Sequence, residues 1–176
     1  MPDYRKIKLI VLDVDGTLTD GGIYYDSQGN EMKRFDVKDG LGIKVGIAAG
    51  LEFAIITGRE SPMVERRVKE LGIQHLVQGV QMKLPALKQL ITGLQLCPDE
   101  VCYIGDDLND LECMEYVGVA ACPADAAEEI RAVSHFVSGC NGGYGAVKSC
   151  IKTLLDSRNK WEELYRSMYF KKQESY

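Results

Sequence analysis

The residues best suited to chemistry are an aspartate pair, Asp13 and Asp15, followed two positions later by Thr17. The pair comes directly after four apolar residues, 9–12, which are typical of a strand covered on both faces. Two carboxylates at the end of a buried strand are costly unless cations neutralise them. Their oxygens suit magnesium, which commonly shares its coordination with phosphate, and a carboxylate can attack phosphorus to form an aspartyl-phosphate. The pattern therefore predicts magnesium-dependent phosphate chemistry.

A second acidic cluster follows another apolar run, 101–104, and contains Asp106, Asp107 and Asp110. Three acids within five residues, next to a buried strand, again indicate a bound cation.

Two further segments carry polar groups that suit a phosphate ester. Thr57 directly follows the run 52–56 and offers a hydroxyl and a backbone N–H. Arg59 offers a guanidinium fork that suits phosphate or carboxylate. Lys83 begins a helical pattern, and its ammonium can neutralise a phosphoryl group. Each segment is weak alone, because Thr-Gly is a common strand exit and a single lysine is more often a solvated surface residue.

The elements that must position these residues alternate between short apolar runs and helical patterns, which predicts an α/β fold: a three-layer, doubly wound parallel sheet. Because parallel strands bring their carboxyl ends to one edge, we expect the polar segments to meet there. A β-hairpin flap, about 21–36, is predicted after the first strand, around a Ser-Gln-Gly-Asn turn. The predicted strands are 7–12, 52–56, 75–77, 101–104, 118–121 and 135–137, and the helices are 40–49, 62–71, 83–93, 107–116 and 124–131.

The C-terminal region predicts a helix to about Asp156 and then a separate amphipathic tail, 157–176, with Trp161 and Leu164 among its apolar positions. Docking on its own domain, 1–156, and docking on a neighbouring subunit are both open for this tail.

Length and composition exclude several classes of protein. The 176 residues suit one core, and 45% hydrophobic with 27% charged residues is ordinary for a globular chain. A net charge of −5 argues against a nucleic-acid partner, and no apolar run approaches the roughly 20 residues of a membrane span. The six cysteines show no zinc spacing and are interpreted as reduced, structural thiols. We therefore expect a cytoplasmic protein without nucleic-acid or membrane partners.

Taken together, Asp13-Val14-Asp15-Gly16-Thr17, Thr57, Lys83 and Gly105-Asp106-Asp107 with Asp110 resemble the four motifs of the haloacid dehalogenase superfamily. The resemblance covers residues 7 to about 155. It implies that Asp13 attacks phosphorus, that Asp15 acts as general acid and then general base, and that Thr57 and Lys83 hold the phosphoryl oxygens.

The same resemblance implies a magnesium site made by Asp13, Asp106 and the backbone carbonyl of Asp15. Asp107, Asp110 and Gly58 are implied as supporting residues. An acid/base aspartate two residues after the nucleophile is similar to the phosphatases and phosphomutases of the superfamily rather than to its dehalogenases.

The spacing between the motifs leaves no room for a cap domain. The chain resembles the capless relatives with a hairpin flap, which are homotetramers whose neighbouring chains help to enclose substrate. Within that group it is similar to the 3-deoxy-D-manno-octulosonate 8-phosphate phosphatases, which implies hydrolysis of that ester before sugar activation in lipopolysaccharide synthesis. The substrate-binding residues implied are Asp15, Asp36, Val37, Lys38, Asp39, Gly40, Lys44, Arg59, Arg67, Lys83 and Asp107, with Lys148 from a neighbouring subunit.

Three departures concern the sugar acid rather than the phosphate chemistry: Asp36 stands where Asn is usual, and Lys44 and Lys148 stand where Arg is common. Lysine keeps the charge but loses the bidentate fork. A phosphatase of a nine-carbon sugar acid 9-phosphate is the close alternative, although Arg59 favours the eight-carbon substrate. From another class, a receiver-like or non-catalytic phosphate-binding module stays open, which turnover would exclude.

Overall fold

A computed structural model of the chain describes residues 2–170, so residue 1 and the end of the predicted tail, 171–176, lie outside it. The strands are β1 Leu9–Leu12, β2 Tyr24–Tyr25, β3 Glu31–Met32, β4 Glu52–Ile56, β5 His75–Val77, β6 Val101–Ile104, β7 Val119–Cys122 and β8 Phe136–Val137. The α-helices are α1 Val37–Ala48, α2 Pro62–Leu71, α3 Lys83–Gly93, α4 Leu111–Tyr116, α5 Glu128–Val133, α6 Ala146–Asp156 and α7 Trp161–Tyr169.

Six strands form one parallel sheet in the order β5-β4-β1-β6-β7-β8. The central strand β1 pairs with β4 on one side and β6 on the other, so the chain winds outward from it in both directions. In such sheets the crevice beyond the carboxyl ends of the central strands is the usual ligand site. The predicted doubly wound α/β fold is confirmed.

Both faces of the sheet are covered, as the unbroken apolar sequence of β1 predicts. Side chains of β1 alternate between two cores: Ile10 and Leu12 pack with α1, α2, α6 and α7, whereas Leu9 and Val11 pack with α3, α4 and α5. All four are fully buried, which explains why none is polar.

Two predicted helices begin elsewhere in the structure. The helix predicted from residue 40 begins at Val37, because the Asp36 carboxylate caps it by accepting a hydrogen bond from the Lys38 N–H at 2.6 Å. The helix predicted from residue 124 begins only at Glu128, since the preceding residues form a loop in which the Ala124 N–H donates to the Cys140 carbonyl.

Other predicted elements are shorter than expected, among them the strand predicted over 135–137, which spans Phe136–Val137. The helix predicted over 107–116 begins as a 3₁₀ turn, Leu108–Asp110, before α4. The first strand, predicted from residue 7, begins at Leu9, and a 3₁₀ turn at residues 4–6 precedes it.

The hairpin of β2 and β3 lies at the carboxyl end of β1, as predicted. Its strands pair antiparallel, with Tyr24 opposite Met32. The Asp26 carboxylate holds the turn by accepting hydrogen bonds from the N–H groups of Gln28 and Asn30, both at 2.8 Å. With two residues in each strand, this flap depends on contacts with the rest of the protein for its position.

The last described helix, α7, packs on its own chain. Trp161 is 7% exposed within the core beside α1 and α6, and Leu164 and Tyr165 pack partly against the same core. Met168 and Tyr169, in contrast, remain 40% and 51% exposed. Every helix within residues 2–170 is too short or too polar to cross a membrane.

Docking of α7 predicts an unequal response to truncation of its side chains. Trp161→Ala should lower the free energy of unfolding by about 3 kcal/mol, because it empties a buried site. Met168→Ala should change it by less than about 0.5 kcal/mol, as is usual at exposed positions. Urea unfolding of both variants measures the difference, and equal small effects would show that α7 does not contribute to this core.

Candidate active site

The predicted polar residues meet at the carboxyl edge of the sheet, where the loops after β1 and β6 and the start of α3 converge. Asp13 follows β1, and its N–H donates to the Ile104 carbonyl at 3.0 Å, which fixes the loop to the neighbouring strand. Carboxylate oxygens of Asp13, Asp106 and Asp110 lie within 4.8 Å of one another. The sheet register, rather than any local sequence feature, brings these residues together.

One buried ammonium group connects the acids. Nζ of Lys83, whose side chain is 1% exposed, lies 2.7 Å from Oδ1 of Asp13 and 2.7 Å from Oδ1 of Asp110. Lys83 is the first residue of α3, so the helix start delivers its side chain to the loop after β1. Three carboxylates against one ammonium leave the cluster rich in negative charge.

Asp110 is the structural member of this cluster. Asp110 is fully buried. Its Oδ1 accepts hydrogen bonds from the Lys83 ammonium and, at 2.8 Å, from the Tyr103 hydroxyl. Its Oδ2 accepts a hydrogen bond from the Asp106 N–H at 3.1 Å. With both oxygens occupied by protein donors, Asp110 holds Lys83 and the Asp106 loop in place.

Asp106 lies on the opposite side of the cluster, against the loop after β1. Its Oδ1 accepts a hydrogen bond from the Thr17 hydroxyl at 2.8 Å. Its Oδ2 crowds Gly16, where an added Cβ would lie only 2.0 Å away and where the backbone has a φ of +96°. Only glycine fits between the two acidic loops at this point.

Burial and crowding make these carboxyl groups hard to ionise. Burial, together with the charge of Asp110, raises the pKa of Asp13 to about 6 even though Lys83 opposes the shift. Burial and the charge of Asp13 raise the pKa of Asp106 to about 8. Both shifts express the same imbalance of charge, which a bound cation would relieve.

The flap contributes charged groups to the site. Lys33, just after β3, has a side chain that is 2% exposed and forms an ion pair with Oδ1 of Asp15. The Glu31 carboxylate lies 3.4 Å from Lys33 and 3.0 Å from the Arg59 guanidinium. These contacts link the flap to the loops after β1 and β4.

The glycine-rich loop before α6 also supports the site, through backbone contacts with the loop after β1. The Gly143 N–H donates to the Thr17 carbonyl at 3.1 Å, and Gly142 lies so close to the Gly16 carbonyl that a Cβ would approach its oxygen to 1.7 Å. The Arg34 guanidinium donates to the Gly143 carbonyl at 2.7 Å, so the flap is joined to the same loop. The two glycines therefore let backbone pack on backbone beneath the Asp13 loop.

Thr57 and its neighbours lie where the strand order predicts, with one difference. Thr57 is buried at the end of β4, but its N–H donates to the Val77 carbonyl at 3.0 Å and is therefore not free for a ligand, contrary to expectation. Gly58 and Arg59 follow on the exposed rim, and Asp107 is exposed beside Asp106.

The segment 36–40, whose residues are expected to bind substrate, is the start of a helix. Asp36 caps α1, and Val37, Lys38, Asp39 and Gly40 form its first turn. Asp39 is 1% exposed and accepts hydrogen bonds from two N–H groups at the start of α6. The structure thus gives the Asp39 carboxylate partners in α6 and not in the acidic cluster.

Arg67 is the expected basic residue best placed for a ligand. It lines a cleft of about 310 Å³ with Lys33, Phe35, Val37 and Met63, and it donates to the Asp36 carbonyl at 3.2 Å. Lys44, Arg67 and Tyr169 border a second groove, which Val37 also lines. The Lys148 ammonium lies 6.0 Å from the Trp161 ring of its own chain.

Comparison with known proteins supplies the family. The sequence-family model of haloacid dehalogenase-like hydrolases matches residues 76–151. The 3-deoxy-D-manno-octulosonate 8-phosphate phosphatase KdsC of Escherichia coli (strain B / BL21-DE3) is 42% identical over 163 residues, which cover 93% of this chain and 87% of that protein.

The chain belongs to this phosphatase family.

Solved structures of the family agree with the fold over nearly the whole chain. The Moraxella catarrhalis 3-deoxy-D-manno-octulosonate 8-phosphate phosphatase, in complex with magnesium, phosphate and KDO, has a TM-score of 0.91 at 42% identity and covers 94% of this chain and 95% of that one. The cobalt-bound Haemophilus influenzae enzyme has a TM-score of 0.87 at 34% identity, covering 97% and 96%. The resemblance inferred from the motifs is confirmed.

The acidic cluster of this family member fits magnesium. Its donors are all hard oxygens, and magnesium typically takes one or two carboxylates together with phosphate and water. Because Asp110 is committed to protein donors, Asp13 and Asp106 are the side chains available to the ion.

Several residues of the site were missed from the sequence. Lys33 is the one lysine of the flap, but no motif marks it, and only the folded hairpin brings it to Asp15. Tyr103 lies in an apolar strand and resembles a core residue, yet its hydroxyl binds Asp110. The pairing of Thr17 with Asp106 joins segments 89 residues apart. Sequence periodicity carries no signal for such contacts.

The raised pKa values predict how magnesium affects stability. In the metal-free protein, Asp13 and Asp106 hold protons more tightly when folded than when unfolded, so the free energy of unfolding should fall as pH rises from about 4 to 8. Magnesium binds the ionised carboxylates of the folded state, so its stabilisation should be larger near pH 8 than near pH 5.

Thermal unfolding with magnesium and with chelator, across this pH range, measures the effect. Asp106→Asn should remove most of the magnesium-induced rise in Tm. An equal rise at both pH values, or an undiminished one in the variant, would contradict the assignment of these carboxylates.

Proposed function

We propose that this chain hydrolyses 3-deoxy-D-manno-octulosonate 8-phosphate to the free sugar acid and inorganic phosphate, with magnesium as cofactor. The observation that carries the proposal is the 42% identity and 0.91 TM-score to a phosphatase of that name solved with magnesium, phosphate and KDO. The buried Lys83–Asp13–Asp106 arrangement supplies the chemistry the proposal needs.

The first half-reaction would form a covalent intermediate on Asp13. One carboxylate oxygen of Asp13 attacks phosphorus, the bond from phosphorus to the sugar oxygen breaks, and Asp15 gives a proton to that oxygen. Since Lys83 contacts Oδ1 of Asp13, the second oxygen, Oδ2, is the one we assign to the attack. Lys83 and Thr57 are the protein groups proposed to contact the phosphoryl oxygens.

The second half-reaction would return the enzyme to its starting state. Asp15 takes a proton from water, the resulting oxygen attacks phosphorus, and the bond to Asp13 breaks to release phosphate. Magnesium, when bound by Asp13, Asp106 and the backbone carbonyl of Asp15, would offset negative charge on the phosphoryl oxygens. The proton balance closes, because Asp15 regains the proton that it donated.

Recognition of the sugar acid is assigned to the cations on the rim of the cleft. Arg59 and Arg67 are proposed to bind the carboxylate, and Lys33, Phe35 and Val37 line the space beside them. Lys38 and Lys44 are exposed on α1 and are proposed to contact the outer part of the substrate. Asp36 and Asp39 accept hydrogen bonds from N–H groups at the starts of α1 and α6, and we propose that they affect substrate binding only by holding these helices in place. A cytoplasmic location is proposed as well, since all six cysteines are free.

The decisive experiment measures phosphate release from a panel of sugar phosphates, with magnesium and with chelator. We expect kcat/KM to be at least about tenfold higher for the 8-phosphate of 3-deoxy-D-manno-octulosonate than for nine-carbon 9-phosphates or for phosphates of hexoses that lack a carboxylate. A tenfold difference is the change in binding free energy expected when about one contact is lost. Asp13→Asn should lower turnover by about 10⁴-fold or more, because it removes the nucleophile, with the Tm retained.

Preference for a nine-carbon ester would keep the reaction and change the substrate. No release from any ester would instead favour a non-catalytic phosphate-binding module and refute the proposed activity.

We further propose that the chain forms a homotetramer through its flaps. Ile23, Tyr25 and Met32 of the hairpin are 56%, 62% and 53% exposed, which is a concentrated apolar surface for so small an element. In this arrangement Lys148 would approach a neighbouring site.

Sedimentation measurements should give a tetramer for the wild type and smaller species for Tyr25→Ser with Met32→Ser. Val137→Ser, at an apolar position that is 41% exposed on β8, is the matched control and should leave the assembly intact. A monomeric wild type would contradict the proposal.

A further inference from the structure

The flap residue Lys33 makes a contact that the phosphatase chemistry described above does not use. Its ammonium forms an ion pair with Oδ1 of Asp15, although the two residues belong to different elements, the flap and the loop after β1. The Lys33 side chain is 2% exposed, whereas neighbouring flap residues such as Tyr25 and Met32 are more than half exposed. The flap therefore buries its lysine and leaves its apolar side chains in solvent.

Burial of a lysine requires a compensating partner. Removing an ammonium group from water is costly, and lysine is almost never fully buried unless it is paired. Asp15 is the closest anion, and Glu31 lies 3.4 Å away on the other side. Glu31 is in turn held by Arg59 at 3.0 Å. This ion-pair chain fixes the Lys33 ammonium relative to both loops at the rim of the site.

The contact constrains the group that the mechanism uses twice. Asp15 must direct one oxygen first to the leaving oxygen of the substrate and then to water, and a misplacement of about 1 Å can cost roughly 100-fold in rate. Lys33 occupies Oδ1, so the other oxygen, Oδ2, lies outside the ion pair and is the one available for proton transfer. The Asp15 side chain is 27% exposed on a loop, and Lys33 is the ion-pair partner that the structure gives it.

We propose that Lys33 is a positioning residue for the proposed phosphatase: from the flap, it orients the Asp15 carboxylate for both proton transfers. The proposal rests on the proposed function, since it assigns Asp15 the acid/base role. It also gives the flap a part in the chemistry of its own chain.

Two esters with different leaving groups separate this role from a structural one. The sugar acid 8-phosphate releases an alkoxide that needs a proton, whereas p-nitrophenyl phosphate releases a phenolate that leaves without one. For Lys33→Met we expect kcat on the sugar ester to fall about 10- to 100-fold. With p-nitrophenyl phosphate, stopped-flow absorbance should show a burst of nitrophenolate at the wild-type rate and then slow turnover, because the second step still needs Asp15 as base.

Three comparison variants sharpen the result. Lys33→Arg keeps the charge and should recover most of the rate. Lys69→Met removes an exposed lysine of α2 and should behave as the wild type. Lys33→Met in an Asp15→Asn background should slow turnover by less than about twofold beyond Asp15→Asn alone, because a positioning residue has no effect once its target is gone.

Each outcome decides the proposal. A burst at the wild-type rate, rescue by arginine and the missing effect in the Asp15→Asn background support it. An equal slowing of the burst and the steady state, or a full multiplicative loss in the double variant, shows a structural role and overturns it. Wild-type rates in Lys33→Met also overturn it while leaving the proposed function intact. A wild type that turns over neither ester overturns the proposed function and this inference with it.

Discussion

The arrangement of the site depends on a single ammonium group among three carboxylates. Lys83 contacts Asp13 and Asp110 at 2.7 Å each, and all three side chains are buried. An unpaired carboxylate there would cost several kcal/mol, and Lys83 at the start of α3 offsets that cost for both acids. In turn, Asp110 fixes the Asp106 N–H, and Thr17 fixes the Asp106 carboxylate. The loops after β1 and β6 are thus held by charge and hydrogen bonds at the point where the sheet ends.

The negative charge of this cluster is only partly neutralised by the protein itself. Lys83 cannot balance Asp13, Asp106 and Asp110 together, and the raised pKa values of Asp13 and Asp106 are the physical expression of that deficit. A hard divalent cation corrects this deficit by its charge, and a phosphate ester then brings oxygens that complete the coordination of the ion. Binding of the ion and binding of substrate are therefore expected to favour each other.

Much of the fold and part of the site could be predicted from the sequence. The apolar strand 9–12 and the alternation of strands with helices suffice for a doubly wound sheet, and a parallel sheet places Asp13, Thr57 and Asp106 at one edge. Local patterns could not reveal the direction of individual side chains. Asp39, in a segment expected to bind substrate, caps α6 instead, because α1 and α6 pack closely enough for its carboxylate to reach the helix start. Lys33 was missed for the same reason, since a flap lysine finds Asp15 only after the hairpin docks.

The backbone contacts of Gly142 and Gly143 with the Asp13 loop have a consequence for the synthesis of the polypeptide chain. The loop that carries Asp13 is made first, but the backbone that supports it, at Gly142 and Gly143, is made about 125 residues later. The first turn of the chain is likewise tied to its far end, since the Arg158 guanidinium donates to the carbonyls of Tyr4 and Ile7. A nascent chain emerging from the ribosome therefore carries Asp13 and Asp15 before the glycine-rich loop that supports their backbone. The site can reach its final form only after the chain has been synthesised past Gly143.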